Sequence, residues 1–458
     1  MASTLIDHLR AVLARERNVR RVGRIAGVSG GRLEIAGLSD TAALGDRVAF
    51  HASARSGGEV VELNESRVVV LPEASPEGFA VGQEVFHDGP IRLSPDDSWV
   101  GRVIDPMGSP LDGQAIVNGR FARPLMPDPG NPTDRRGLGR RVTTGLSLFD
   151  TLLPIVRGQR LGLFAGSGVG KSTLLARLAE GVEADIVVVA LIGERGREVR
   201  EFVEKVLGPS GMERAVVVAA TADRSPLLRR RCAYAAMAVA EHFRDGGKHV
   251  LLLADSITRF AEAHREVALA SGEGAAMRGF PPSTAQRIMA LAERAGPGSA
   301  EQSDITALFS VLVAGSDMEE PIADILRGVL DGHIVLDRAI AERGRFPAVD
   351  VARSVSRALP EAASPEENAI IAEARAVLGA FERSELMIRA GLYSKGGDPE
   401  LDRAVATWPA LDSFFATRSL GSPEESFKTL AELLLSGASQ VVAQIAADAE
   451  HSAALGSE

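Results

Sequence analysis

The stretch Leu161–Leu175, LGLFAGSGVGKSTLL, decides how this chain is read. It passes from an apolar run of strand character, through a glycine-rich turn, into an apolar-periodic run of helix character. The turn is AGSGVGKS, Ala165–Ser172. A chain of phosphates needs several backbone N–H groups at close range, and side chains obstruct that approach. Gly166, Gly168 and Gly170 remove them. A helix starting at Lys171 adds the partial positive charge of its N-terminus. The Lys171 ammonium suits the β- and γ-phosphates, and the Ser172 hydroxyl suits Mg²⁺. The pattern usually opens on glycine, where this chain has Ala165. The expected nucleotide-binding set is Ala165, Gly166, Ser167, Gly168, Val169, Gly170, Lys171, Ser172 and Thr173, holding a nucleoside triphosphate with Mg²⁺.

Outward from this stretch, composition narrows the classes. The chain has 458 residues, 45% of them hydrophobic, room for about two to four domains with substantial cores. A net charge of −10 and 4% aromatics speak against a standing nucleic-acid surface or a stacking platform, so no nucleic-acid partner is expected. The single cysteine, Cys232, sits in an apolar helix-like run, so it reads as a core residue and no disulfide framework exists. Asp7, Arg10, Arg15, Glu16 and Arg17 interrupt any signal-peptide core, and no apolar run reaches the ~20 residues of a membrane span. A cytoplasmic protein is expected.

Residues 3–17 place Leu5, Ile6, Leu9, Val12 and Leu13 at helical spacing, an amphipathic helix that packs on its own domain or docks a partner. From Arg21 to about Gly89, short runs such as Val22–Val28, Arg32–Ile35, Arg47–Phe50 and Arg67–Leu71 alternate with Gly/Pro/Ser turns, the texture of a small β-barrel. GRVIDPMGSPLDG reads as a hairpin, followed by a proline-rich connector. Between 160 and about 350, apolar runs at Leu161–Ala165, Ile186–Ile192, Ala215–Ala220, Val250–Ala254 and Ile305–Ala314 alternate with helical stretches such as Arg197–Leu207 and Pro226–Phe243. That is an α/β pattern with a mainly parallel sheet covered on both faces. Beyond Ser356, Ser364-Pro365-Glu366-Glu367, Asp398-Pro399-Glu400 and Ser422-Pro423-Glu424-Glu425 each supply a capping oxygen, a proline and first-turn acid. They announce a C-terminal helical bundle.

Hydrolysis needs a second metal anchor and a group to orient water. Val250–Asp255 is a buried-strand pattern ending in an acid, placed either to hold Mg²⁺ through its water shell or to cap the helix from Ile257. Ile192-Gly193-Glu194-Arg195 ends another parallel strand, so Glu194 emerges at the carboxyl edge where ligands bind and can polarise water. Arg195 can neutralise phosphate charge; a surface ion-pair run with Arg197 and Glu198 is the plain alternative. Ser354-Val355-Ser356-Arg357 lies far along the chain, and Arg357 alone reads as a surface arginine.

Taken together, the glycine loop, the GER segment, LLLADSITRFA, RGFPPS, GRFPAVD and SVSR resemble the catalytic subunits of rotary ATP synthases and type III export ATPases, most of all the flagellum-specific branch, with injectisome ATPases second. The resemblance implies a RecA-like phosphate-loop core over about 91–355, flanked by a docking helix at 1–20, a β-barrel at 21–90 and a helical domain at 356–458. It implies that Glu194 activates water, that Lys171, Arg195 and Arg259 lie near the γ-phosphate, and that Ser172 and Asp255 serve Mg²⁺. It also implies that Phe346 stacks on adenine where tyrosine is usual, and that Arg357 is a finger donated to the adjacent subunit. Because one chain carries both Glu194 and Arg357, a homohexamer with shared sites is expected. Implied partners are a stator-like regulator at the N-terminal helix, a coiled-coil central stalk protein at Gly272–Ser283, export chaperones and substrates, and a membrane export gate. The implied location is cytoplasmic, peripheral to the inner membrane at the export apparatus. A hexameric nucleic-acid motor and a non-catalytic assembly subunit are the competing classes.

Overall fold

The computed structural model describes residues 19–50, 57–127, 130–313, 318–419 and 421–436. The expected helix at 3–17 lies outside them. The chain divides into two compact units, each drawn from two stretches: Met1–Gly137 with Ala184–Leu330, and Leu138–Glu183 with Asp331–Glu458.

In the first unit, β1 (Val22–Ser29), β2 (Arg32–Ala36), β3 (Asp46–Ala49), β4 (Gly57–Leu63), β5 (Val68–Pro72) and β6 (Glu84–Pro90) close a barrel in the order β1-β2-β5-β4-β3-β6. Alternation sends Ile25, Leu33, Ile35, Val48, Val60, Val68, Val70 and Val85 inward, where they form one apolar core. Closure leaves no free edge. The glycines that read as turn signal before Val60 instead open β4. A Cβ on Gly58 would stand 2.4 Å from Val70 and 2.7 Å from the Leu71 carbonyl, so the strands approach where only glycine fits.

The same unit holds five parallel strands, in the order Ile305–Leu312, Val250–Asp255, Ile186–Glu194, Ala215–Thr221 and Val103–Ile104. The three middle strands are buried along nearly their whole length, as expected of a sheet covered on both faces. Register sets Leu191 opposite Asp255 and Glu194 opposite Thr221, so these strands end together at their carboxyl edge. The GRVIDPMGSPLDG segment adds a parallel strand to the sheet edge and keeps a short form of the expected hairpin, with Ile104 bridged antiparallel to Pro110, the Asp105 N–H donating to the Ser109 carbonyl and the Leu111 N–H to the Val103 carbonyl, each at 2.8 Å. The helix expected over Arg197–Leu207 is α-helical at Gly196–Glu201 and widens to a π turn over Phe202–Leu207.

A buried ion cluster joins the barrel to the helix Pro226–Asp245. Glu59 of β4 takes hydrogen bonds from Arg230 and Arg231, the latter at 3.0 Å, and Arg231 also bonds Glu73. Glu73 is shared with Arg47 at 3.2 Å, and Arg47 reaches Asp88 at 2.6 Å. Burial alone would raise Glu59; the two guanidiniums outweigh it and hold the carboxyl below its usual range. Cys232, next along the helix, is buried as expected.

In the second unit, strand Arg160–Ala165 runs parallel to Gly332–Leu336, which pairs antiparallel with Val349–Ser356. The glycine loop and the helix Lys171–Gly181 follow the first of these. The C-terminal helices Pro365–Arg389 and Pro399–Ala416 pack through Phe381 stacked on Trp408 at 4.5 Å. Their starts match the sequence reading. Ser364 and Glu367 form a reciprocal capping box, and the Asp398 side chain accepts from the N–H groups of Glu400 and Leu401. Residues 423–436 are helical after Ser422.

Candidate functional site

Within the second unit, the loop leaves the sheet at Ala165 and turns into the helix through Gly170, whose φ of 91° is left-handed backbone. Val169 is buried and anchors the loop, while Ser167, Gly168, Ser172 and Thr173 face solvent. No side-chain cap hydrogen bond closes the start of the Lys171–Gly181 helix, and the N-terminal end of a helix favours an anion.

Phe346 comes to this loop. A Cβ on Gly170 would lie 3.3 Å from Cδ1 and Cε1 of the Phe346 ring, which is 40% exposed and free to offer a face. The ring points outward because Arg345 points inward. The Arg345 guanidinium is buried, donates to the carbonyls of Pro347 at 3.0 Å and Val349 at 2.8 Å, and sits 3.0 Å from Asp412. Arg177 adds a 3.4 Å hydrogen bond to the Phe346 carbonyl. Arg338, which no local sequence pattern marks, donates from Nη2 to the Ser167 carbonyl at 3.1 Å.

Arg357 is held away from its own chain's loop. The strand Val349–Ser356 sets Val349 opposite Leu336 and Ser356 opposite Gly332. Its start therefore lies at the loop end of the strands, and its finish at the other end, on the order of 15 Å away by strand rise. The serines of SVSR are anchors. Ser354 Oγ accepts from the Val335 N–H at 3.0 Å, and Ser356 Oγ donates to the Pro154 carbonyl at 2.7 Å. Alternation then leaves Arg357 exposed.

Within the first unit, Glu194 ends its strand with Arg195, Glu198 and Arg259 around it. Glu198 is held below its usual range, first by a hydrogen bond with Glu194 and then, against some burial, by Arg195 and Arg197. Arg195 stands 3.6 Å from Glu198, the surface ion pair expected as its alternative role. Arg259 pairs with Glu262 at 2.9 Å, feels both Glu194 and Glu198, and packs along Gly193. The capping role considered for Asp255 belongs to Ser256, whose side chain accepts from the Arg259 N–H. Asp255 instead takes a 2.7 Å hydrogen bond from Ser310 and is buried. Among the described residues no group of three or more His, Cys, Asp or Glu side chains could hold a metal by itself. Ser172 in one unit and Asp255 in the other each offer a hard oxygen, the donor type that Mg²⁺ takes.

The Gly272–Ser283 loop is closed at its base by a clamp the sequence did not reveal. Glu273 accepts from Ser283 N–H at 2.9 Å and from Ser283 Oγ at 2.6 Å. With its hydrogen so committed, Ser283 Oγ accepts from His264 Nε2 at 2.8 Å. His264 Nδ1 is buried with no hydrogen-bond partner, and burial lowers the imidazole to about 4. Arg265 lies over the Phe280 ring at 5.1 Å.

A strand–glycine loop–helix carrying GKS in one unit, with a parallel sheet whose strands end in Glu194 and Asp255 in the other, defines a phosphate-loop NTPase. Residues 145–356 match the nucleotide-binding domain of the ATP synthase alpha/beta family, and residues 363–432 match the T3SS EscN ATPase C-terminal domain. The chain is 44% identical over 426 residues to the flagellum-specific ATP synthase of Caulobacter vibrioides, covering 90% of this chain and 96% of that one. It also matches the assembled ATPase EscN of the enteropathogenic E. coli type III secretion system, with a TM-score of 0.84 and 38% identity over 90% of this chain and all of that one. EscN in complex with its central stalk EscO matches with a TM-score of 0.83 over the same shares. The chain belongs to the ATP synthase alpha/beta family and is an ATP-hydrolysing phosphate-loop enzyme. Among the described residues, no helix is long and apolar enough to cross a membrane.

Proposed function

We propose that this ATPase serves a bacterial flagellar type III export apparatus, where hydrolysis drives chaperone release and the unfolding and export of flagellar substrates. Similarity to a flagellum-specific ATP synthase along nearly the whole chain carries this reading. The match to EscN supports a second one, injectisome secretion. In either, the amides of Gly166–Gly170 and the Lys171 ammonium hold the β- and γ-phosphates, and Phe346 stacks on adenine. Glu194 orients and polarises the attacking water, and Arg195 and Arg259 offset charge near the γ-phosphate. Ser172 and Asp255 would serve a bound Mg²⁺, which neutralises charge developing on the phosphates.

Arg357 serves a neighbouring copy. Its place at the far end of the strands from its own loop supports this role, and with Glu194 in the same chain it fits a homohexamer closed by like interfaces. Mixing Glu194→Gln protein with Arg357→Ala protein should restore activity at some sites, and no recovery at any ratio would refute shared sites. The ring would thread a coiled-coil stalk past Gly272–Ser283 and meet a stator-like regulator through residues 1–20. It would work at the cytoplasmic face of a membrane export gate, peripheral to the inner membrane. In function the segments 21–90, 91–355 and 356–458 would act as barrel, ATPase and helical domains. The deciding experiment replaces the chromosomal gene with the Glu194→Gln allele and counts filaments beside total secreted protein. Loss of filaments alone supports flagellar export; normal filaments with lost effectors supports injectisome use; no change in either overturns both.

A further inference from the structure

The strands Arg160–Ala165 and Gly332–Leu336 run parallel with Ala165 opposite Leu336. Two residues beyond those partners stand Ser167 and Arg338. Parallel register thus delivers Arg338 to the glycine loop, although the two are 171 residues apart in sequence. Asp337 fixes the departure. Its carboxylate accepts from the N–H groups of Ala339 and Ile340, starting the helix Arg338–Glu342, while its own N–H donates to the Ala348 carbonyl. The guanidinium then meets the Ser167 carbonyl at 3.1 Å.

We propose that Arg338 is a positioning residue for the phosphate loop, orienting and polarising the Ser167–Gly168 peptide so that the Gly168 N–H binds phosphate more strongly. The inference rests on the reading of Ala165–Ser172 as the phosphate cradle. A carbonyl that accepts from a cation draws density from its own amide, and the N–H at the other end of that peptide becomes a better donor. The peptide needs holding, because Gly168 has a left-handed φ of 78° and no side chain to resist rotation. Arg338 itself is exposed, so replacing it removes no core packing.

The test uses the full chain and a fluorescent nucleotide displaced by ATP, ADP or adenosine. Arg338→Ala, Arg338→Gln and Arg338→Lys are compared with Lys171→Ala, and thermal unfolding checks that each variant is folded. Loss of one charged hydrogen bond at an exposed site should weaken ATP and ADP about tenfold in Arg338→Ala. Adenosine, which has no phosphate, should compete as before. Arg338→Lys should recover most of the loss, and Arg338→Gln, a neutral donor, only part. Wild-type affinity for ATP in Arg338→Ala, with binding lost in Lys171→Ala, would overturn the role of Arg338 and leave the cradle standing. Equal weakening of adenosine and ATP would overturn it too, since the effect would then not pass through the phosphates. Unchanged ATP binding in Lys171→Ala would overturn the cradle reading itself.

Discussion

Replacing Glu59 with leucine removes the acceptor shared by two arginines of the helix Pro226–Asp245. Glu59 is 5% exposed, Arg230 7% and Arg231 2%, so solvent cannot take its place. Arg231 keeps Glu73, but Arg230 is left without its carboxylate, and its Nε already has no partner. Breaking a buried pair from one side costs about 3–5 kcal/mol, because the desolvated charge left behind is uncompensated. The triple variant Glu59→Leu, Arg230→Met, Arg231→Met removes the stranded charges as well and leaves Glu73 with Arg47. It should fall within about 1 kcal/mol of the parent or exceed it. Hydrogen exchange of the β4 and β5 amides reads this locally, which suits a chain of two units whose unfolding need not be two-state. The pH dependence has a definite sign. The folded-state value of Glu59 lies below the ordinary 4.5, so its contribution is full above that value and is lost as pH falls through the folded one. The single-variant cost should therefore be full at pH 7 and shrink below pH 4.5. A cost under about 1 kcal/mol at pH 7, or a triple variant as unstable as the single one, would refute the argument.

Gly170→Ala forces a Cβ into left-handed backbone 3.3 Å from the Phe346 ring, and ATP affinity in a displacement titration should drop tenfold or more. Phe346→Ala removes a stacking face worth about 0.5–1.5 kcal/mol, so KM for ATP should rise up to about tenfold, and Phe346→Tyr should restore it. His264 titrates near 4 in the folded chain against an ordinary 6.5, so the unfolded chain takes the proton first and stability declines as pH drops from 6.5 toward 4. His264→Gln keeps a donor for Ser283 and should flatten that slope in melting temperatures taken from pH 6.5 to 4.5; an unchanged slope would clear His264 of the effect.

Strands that are apolar from end to end were legible because burial on both faces leaves no other composition, as at Ile186–Ile192 and Val250–Ala254. The capped helix starts were legible because cap chemistry is local, spelled out in four adjacent residues at Ser364. Two barrel strands are not legible in the sequence for physical reasons. β4 opens on Gly57-Gly58, which mimics a turn, and β6 carries His87 inward against Asp46 at 2.8 Å, which breaks the apolar alternation. In the site, the glycine loop announced itself through backbone chemistry. The parts that bear on it from afar, Arg338 on Ser167 and Arg345 behind Phe346, depend on strand register and on which way a side chain turns. A linear pattern holds no record of either. The Glu273–Ser283–His264 clamp was hidden likewise, since its three members are scattered over a helix, a loop and the start of another helix.

The charged seam beneath the barrel bears on how such proteins can be recombined. An apolar seam tolerates many partners of similar volume, whereas this one demands that acid meet guanidinium on both sides. A chimera that imports a foreign barrel must therefore bring residues equivalent to Glu59 and Glu73, or exchange Arg230 and Arg231 along with it. Grafts that ignore this pairing should express as insoluble protein even when each half is well formed in its parent, and counting soluble yield across a small matrix of matched and mismatched grafts would expose the rule.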